Sequence, residues 1–152
     1  MEDQHLQLVD GSKVGVIGGG PAGSFFSYFL LNAAGLIGLG LHVDIYEPRD
    51  FSNTGPSGCN MCGGIISESL VQMLSSEGII LPPTIVQRGI ESYMLHTDVG
   101  TVRIDTPLQE KRIGAVYRGS GPRDIKGSKW GSFDGHLQSL RSKKGPMSSR
   151  SE

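Results

Sequence analysis

The order of its segments places this chain in the α/β fold class. A short apolar strand pattern, a glycine-rich loop and a long apolar segment follow one another between residues 13 and 41, and a second strand pattern ends in an acid at Glu47. Further along, at 89–105, alternating apolar residues flank a short turn, which is typical of an antiparallel hairpin. We therefore expect a β-α-β unit with an added hairpin.

The glycine loop is the most specific feature of the sequence. It joins the first strand to the helix and reads Gly18-Gly19-Gly20-Pro21-Ala22-Gly23. At this spacing the first glycine permits a tight turn, the second lets a pyrophosphate approach the backbone, and the third lets the helix pack closely on the sheet. Unpaired N–H groups at the start of the helix favour an anion there. The loop thus predicts dinucleotide binding.

Glu47 completes this motif. It follows the second strand, 24 residues after Gly23. An acid about 20 residues after the loop hydrogen-bonds the adenosine ribose in such units. The whole context predicts a Rossmann-like βαβ unit that binds FAD or NAD(P). The alternative is a glycine turn in an α/β protein that binds nothing.

The apolar segment 25–41 contains no charged residue, yet it does not read as a membrane span. Its 17 residues are at the short limit for a bilayer, and three glycines weaken its second half. We expect a helix from near Pro21, which suits a first turn, to near Gly35, which suits a left-handed cap. The first ten residues carry three acids and no Lys or Arg, which argues against a signal peptide and favours a cytoplasmic protein.

Composition argues against several other functions. The chain has 152 residues, the size of one domain, and its 23 glycines show no repeat. Residues 1–110 contain four Lys/Arg and twelve Asp/Glu, whereas 111–152 contain ten and three. Because the basic part lacks interleaved aromatics, we expect no nucleic-acid partner. Two cysteines are too few for a four-cysteine zinc site or a secreted disulfide scaffold, so no metal is expected.

Four further elements are predicted beyond the β-α-β unit. A helix capped by Ser67 runs to about Glu77, where Gly78 ends it. A hairpin with arms 89–97 and 101–105, a strand at 113–117 and a helix at 133–140 follow. The remaining segments are expected to be a flexible N-terminus, an exposed insertion loop and a disordered tail, at 1–12, 119–132 and 141–152.

These residues also carry a family resemblance. The glycine loop, together with Glu47-Pro48-Arg49, resembles the amino-terminal flavin-binding unit of the glutathione-reductase and hydroxybenzoate-hydroxylase type of flavoproteins. Within that group the chain is similar to geranylgeranyl reductases. Residues 62–68 look like their cysteine-and-glycine loop, and their Tyr-x-x-x-Arg-x-x-Phe-Asp-x-x-Leu element is matched by Val116-Tyr117-Arg118 with Phe133-Asp134 and Leu137. Arg123, within the insertion before Phe133, is an alternative for the arginine.

The resemblance implies an FAD-dependent oxidoreductase that reduces isoprenoid carbon–carbon double bonds. It implies NAD(P)H as a candidate electron donor, and an isoprenoid or other lipid substrate that suggests peripheral association with a membrane. The residues implied to bind FAD are Gly18, Gly20, Pro21, Ala22, Gly23, Glu47, Arg49 and Arg118.

Cys62 is the candidate catalytic residue, on a loop that could face the flavin ring. It forms a Cys-x-x-Cys pair with Cys59, but Gly63-Gly64 delay the helix that a thioredoxin-like dithiol requires, and no histidine lies at zinc-ligand spacing. A small buried thiol without chemistry is the alternative for Cys62.

The family members are more than twice as long as this chain. Their later Gly-Asp motif and substrate-binding region have no counterpart after Leu140. The resemblance therefore implies that 13–140 is the N-terminal part of an FAD-binding domain and is incomplete, so that activity alone is not expected. Two alternatives stay open: an NAD(P)-binding dehydrogenase-type domain, and a nonenzymatic remnant that binds nucleotide or a partner chain.

Overall fold

The computed structural model describes residues 7–53, 64–105, 113–118 and 131–142. Over these residues the chain is a mixed α/β protein with one parallel sheet, two antiparallel sheets and three helices. In chain order the elements are β1 (Lys13–Ile17), α1 (Pro21–Leu36), β2 (His42–Tyr46), β3 (Ile65–Ser67), α2 (Glu68–Ser76), β4 (Val86–Ile90), β5 (Ser92–Thr97), β6 (Gly100–Asp105), β7 (Ile113–Val116) and α3 (Phe133–Ser142). The described residues fall into two units. Unit 1 runs to Asp50 and resumes at Asp134, and unit 2 runs from Phe51 to Phe133.

In unit 1, β1 and β2 are parallel and α1 connects them. The register pairs Lys13 with His42 and Ile17 with Tyr46, so both strands end at the same edge of the sheet. Parallel neighbours need a crossover connection, and a helix is the usual one. Val16 and Val43 are buried. The β-α-β unit predicted from the sequence is therefore present.

The end of α1 differs from the prediction. The helix continues to Leu36, so the assignment of Gly35 as its left-handed cap was wrong. Gly38 takes that role, with φ of +72°. The Gly38 N–H donates to the Gly35 carbonyl over 3.2 Å and the Leu39 N–H to the Ala34 carbonyl over 2.8 Å, which is a Schellman motif. None of the helices in the described residues has the length and apolar character needed to cross a membrane.

Unit 2 contains a three-stranded antiparallel sheet in which β7 is the middle strand between β3 and β4. The register of β4 shifts between Val86 and Arg88, which places a bulge in that edge strand. Ile66 of β3 and Val116 of β7 are buried. Strand β3 is not predicted from the sequence, because its three residues are too few to show an alternating pattern.

Helix α2 begins and ends as the sequence predicts. The Ser67 hydroxyl accepts a hydrogen bond from the Leu70 N–H over 3.2 Å. At the other end Gly78 has φ of +77°, and the Ile79 N–H donates to the Leu74 carbonyl over 2.7 Å. Ile79 and Leu74 are almost fully buried, at the two positions where an apolar contact often accompanies such a cap.

The predicted hairpin is formed by β5 and β6, which pair from Ser92 with Asp105 to Thr97 with Gly100. Its first arm is shorter than predicted, because Gly89 and Ile90 belong to β4 and pair with β7. Only Glu91 separates β4 from β5, so no loop marks this boundary in the sequence. The strand predicted at 113–117 and the helix predicted at 133–140 correspond to β7 and α3.

Candidate functional site

The glycine loop lies at the carboxyl edge of the parallel pair in unit 1. The Gly18 N–H donates to the Tyr46 carbonyl over 2.8 Å, which continues the strand pairing by one residue. Gly18 then turns the chain with φ of +96°, a conformation that other residues rarely adopt. The loop therefore begins beside the end of β2, where Glu47 follows Tyr46.

The Glu47 carboxylate supports the loop from β2. Its Oε2 accepts a hydrogen bond from the Gly19 N–H over 2.8 Å. Its Oε1 accepts a hydrogen bond from the Arg49 N–H over 3.0 Å. Both oxygens thus bind backbone amides, and each keeps a further lone pair for another donor.

The Gly19 carbonyl is held from the other side. It accepts hydrogen bonds from the Ser24 hydroxyl over 3.0 Å and from the Gln138 side-chain amide over 3.1 Å. A Cβ on Gly19 would overlap Gln138 and would lie only 2.8 Å from the Glu47 Cβ. Gly19 is therefore enclosed between β2 and α3, and its peptide groups are fixed by side chains.

Gly23 allows α1 to pack closely against β1. A Cβ at this position would overlap the Gly18 carbonyl oxygen and lie 3.2 Å from the Val16 Cγ1. Ser24 and Ser27, on the same side of the helix, are fully buried, and the Ser27 hydroxyl donates to the Gly23 carbonyl over 2.7 Å. Small residues let the helix approach the sheet here.

Gly20 differs from the other glycines of the loop because the fold does not require it. It is the N-cap of α1, with φ of −66° and ψ of −171°, which any residue can adopt. Among the described residues, a Cβ there would meet only the Asp134 Oδ1, at an ordinary contact distance of 3.9 Å. Within that part of the chain, Gly20 thus leaves space beside the start of the helix.

The first turn of α1 favours an anion. Pro21 occupies the first helical position, Ala22 is exposed, and the first turn contains no acidic residue. The N–H groups and the positive end of the helix dipole attract negative charge there. The Asp134 carboxylate, which is 1% exposed, lies beside Gly20, and its charge disfavours an anion there. A bound anion must gain enough from the N–H groups to outweigh this carboxylate.

The structure brings together most of the residues predicted to bind a cofactor. Five of them lie in the glycine loop and the first turn of α1 in unit 1: Gly18, Gly20, Pro21, Ala22 and Gly23. Glu47 binds this loop through the Gly19 N–H, and Arg49, two residues further on, is exposed. Arg118 lies in unit 2, two residues after the end of β7, and is buried. Cys59, Cys62 and Arg123 lie outside the described residues.

Ser24 and Gln138, which were not predicted from the sequence as site residues, also support the loop. Ser24 could have been noticed, because Gly20, Ser24 and Ser27 recur at helical spacing within an otherwise apolar segment. Gln138 carries no such signal. It is 119 residues from Gly19 in the chain, and only the packing of α3 brings it there.

Replacing Glu47 should test its role as a support. We expect Glu47→Gln to lower the free energy of unfolding by about 1–2 kcal/mol. The two carboxylate oxygens accept hydrogen bonds from the Gly19 and Arg49 N–H groups, and in glutamine an NH₂ group, which is a donor, replaces one of these acceptors. Urea denaturation followed by circular dichroism measures this change. Glu68→Gln is the matched control, since among the described residues the exposed Glu68 carboxylate accepts a hydrogen bond only from the exposed Gln72 side chain, and we expect a change within about 0.5 kcal/mol. Equal effects of the two substitutions would contradict the supporting role.

Comparisons with known proteins give no relative: no family model, curated protein or solved structure matches the chain significantly. Within the described residues, no group of three or more His, Cys, Asp or Glu side chains converges to hold a metal ion.

Proposed function

We propose that this chain is the nucleotide-binding portion of an FAD-dependent oxidoreductase similar to geranylgeranyl reductases. The observation that carries the proposal is Gly20. Backbone conformation or close packing explains the glycines at 18, 19 and 23, whereas neither explains the one at 20. A ligand that approaches the backbone at that position does explain it.

A dinucleotide fits the chemistry of the loop. Its diphosphate would bind the N–H groups of Gly20 and Ala22, where α1 begins without a side-chain cap. Gly18 and Gly23 would shape the loop, Gly18 through its turn and Gly23 through its close packing. The open space beside Gly20 would admit the phosphate oxygens.

Glu47 would then have two roles. It supports the loop through the Gly19 N–H, and the lone pairs that its oxygens retain would accept hydrogen bonds from the ribose hydroxyls of the adenosine half. Arg49, which is exposed and whose backbone N–H donates to this carboxylate, would lie near the adenosine or its phosphate.

The choice of FAD over NAD(P) rests on the sequence resemblance. When bound, the flavin supplies the electron-transfer chemistry, and the protein supplies binding and orientation. An isoprenoid or other lipid with a carbon–carbon double bond is the proposed substrate class, with NAD(P)H as the proposed electron donor. These assignments come from the family that the motifs resemble.

Calorimetric titration of the purified chain with FAD, NADH and riboflavin tests the proposal. We expect saturable binding of FAD and at least about tenfold weaker binding of riboflavin, which lacks the diphosphate, a difference of about 1.4 kcal/mol. Tighter binding of NADH than of FAD would favour the dehydrogenase-type alternative. Failure to bind either dinucleotide would overturn nucleotide binding altogether, and equal binding of riboflavin and FAD would show that the glycine loop is not the site.

A further inference from the structure

The Gln138 side chain, on α3, contacts the glycine loop at the peptide group between Gly19 and Gly20. Its Nε2 donates to the Gly19 carbonyl oxygen over 3.1 Å. The neighbouring Leu137 is 1% exposed, so burial fixes this turn of α3 in unit 1. Gln138 itself is half-buried.

The geometry of the peptide bond links this contact to the proposed anion site. The Gly19 carbonyl and the Gly20 N–H belong to the same peptide group, and no peptide bond among the described residues is cis. In a planar trans peptide the C=O and the N–H point in opposite directions. Because Gln138 and Ser24 hold the carbonyl, the Gly20 N–H is turned away from Gln138.

The peptide before it is fixed in the same manner. The Gly19 N–H donates to Glu47, so the Gly18 carbonyl points the opposite way, toward Gly23. The two supports therefore set successive peptide groups of the loop. Glu47 directs the first and Gln138, with Ser24, directs the second.

We propose that Gln138 is a positioning residue that preorganises the Gly20 N–H to bind the anionic group of the ligand. This inference rests on the proposed function for the identity of that ligand, a dinucleotide diphosphate. Preorganisation raises affinity because the loop does not have to be ordered when the ligand binds. Gln138 acts through the Gly19 peptide and is not assigned a contact with the ligand.

Two substitutions at this position test the proposal at different strengths. Gln138→Leu removes the donor while Ser24 still binds the carbonyl, so a partial effect is expected. Gln138→Glu places an acceptor against the carbonyl oxygen and should turn the peptide away. Ser139→Ala is the matched control on the same helix, because the exposed Ser139 hydroxyl donates only to the His136 carbonyl.

Two measurements separate positioning from general stability. Residual dipolar couplings of the ¹⁵N-labelled chain without ligand report the orientation of the Gly20 N–H. We expect this coupling to change in both Gln138 variants and to stay unchanged in Ser139→Ala. Calorimetry should show FAD affinity lowered about tenfold in Gln138→Glu, a loss of about 1.4 kcal/mol, while the unfolding midpoint of Gln138→Leu stays within a few degrees of the parent chain.

The outcomes distinguish this inference from the proposed function. If FAD binds and the Gly20 coupling and FAD affinity are the same in all Gln138 variants, the positioning role is wrong and the nucleotide site stands. If the coupling changes as expected but neither FAD nor NADH binds the parent chain, Gln138 orients the peptide but the proposed function is wrong, and so is the inference that this orientation serves an anionic ligand. An unchanged coupling rejects the inference whatever the ligand.

Discussion

Gly23→Ala is expected to destabilise the chain by about 2–3 kcal/mol, because the added methyl group would overlap the backbone carbonyl of Gly18. A backbone atom cannot move aside as the end of a side chain can, so α1 must shift away from β1. In an ordinary helix interior the same change stabilises by up to about 1 kcal/mol. The measurement is the free energy of unfolding from urea denaturation followed by circular dichroism.

Gly35→Ala is the matched control, because it makes the same change in the same helix. In the part of the chain that the structure describes, no atom lies within 4 Å of a Cβ placed there, and the position is exposed. We expect Gly35→Ala to stabilise the chain by about 0.5–1 kcal/mol, in line with helix propensity. Two substitutions of the same sign would show that α1 does not pack on β1 through Gly23.

Gly20→Val has the largest expected effect on binding. The side chain would fill the space beside the first turn of α1, so FAD affinity should fall at least about 100-fold, which corresponds to about 2.7 kcal/mol. The folded chain should lose only about 1 kcal/mol, because the backbone angles of Gly20 suit valine and valine is merely a poor N-cap. Calorimetry with FAD and urea denaturation measure the two quantities.

Gly20→Ser separates binding from folding more sharply. Serine is a favourable N-cap, since its hydroxyl accepts a hydrogen bond from an N–H of the first helical turn. We expect this variant to be as stable as the parent chain or more stable, and still to bind FAD at least about tenfold more weakly. If both Gly20 variants bind FAD as the parent chain does, the open space at Gly20 is not a ligand site.

The sequence predicts the part of unit 1 that local patterns determine. The apolar run of β1, the glycine spacing and the proline at the first helical position define a strand, a turn and a helix start without reference to other segments. The same holds for Ser67 and Gly78 at the ends of α2, where capping depends on neighbouring residues alone. Motifs of this kind carry their physical cause within a few residues.

Features that depend on contacts between distant segments could not be predicted in this way. The Gln138 contact with Gly19 and the place of Asp134 beside Gly20 arise only when α3 packs in unit 1. The boundary between β4 and β5 depends on β7, which pairs with one strand and leaves the other to β6. The sequence motif placed Glu47 correctly but suggested only a ligand contact, whereas its carboxylate also binds the Gly19 amide.

The most direct test of nucleotide binding at the glycine loop is a titration of the ¹⁵N-labelled chain with FAD, observed amide by amide. We expect the largest shifts at Gly20 and Ala22, with smaller ones at Gly18 and Gly19, whose N–H groups already donate to Tyr46 and Glu47. Inorganic pyrophosphate should shift the Gly20 and Ala22 amides in the same direction at higher concentration. Saturable FAD binding that leaves these amides unshifted, with its changes centred elsewhere in the chain, would contradict the assignment of this loop as the site.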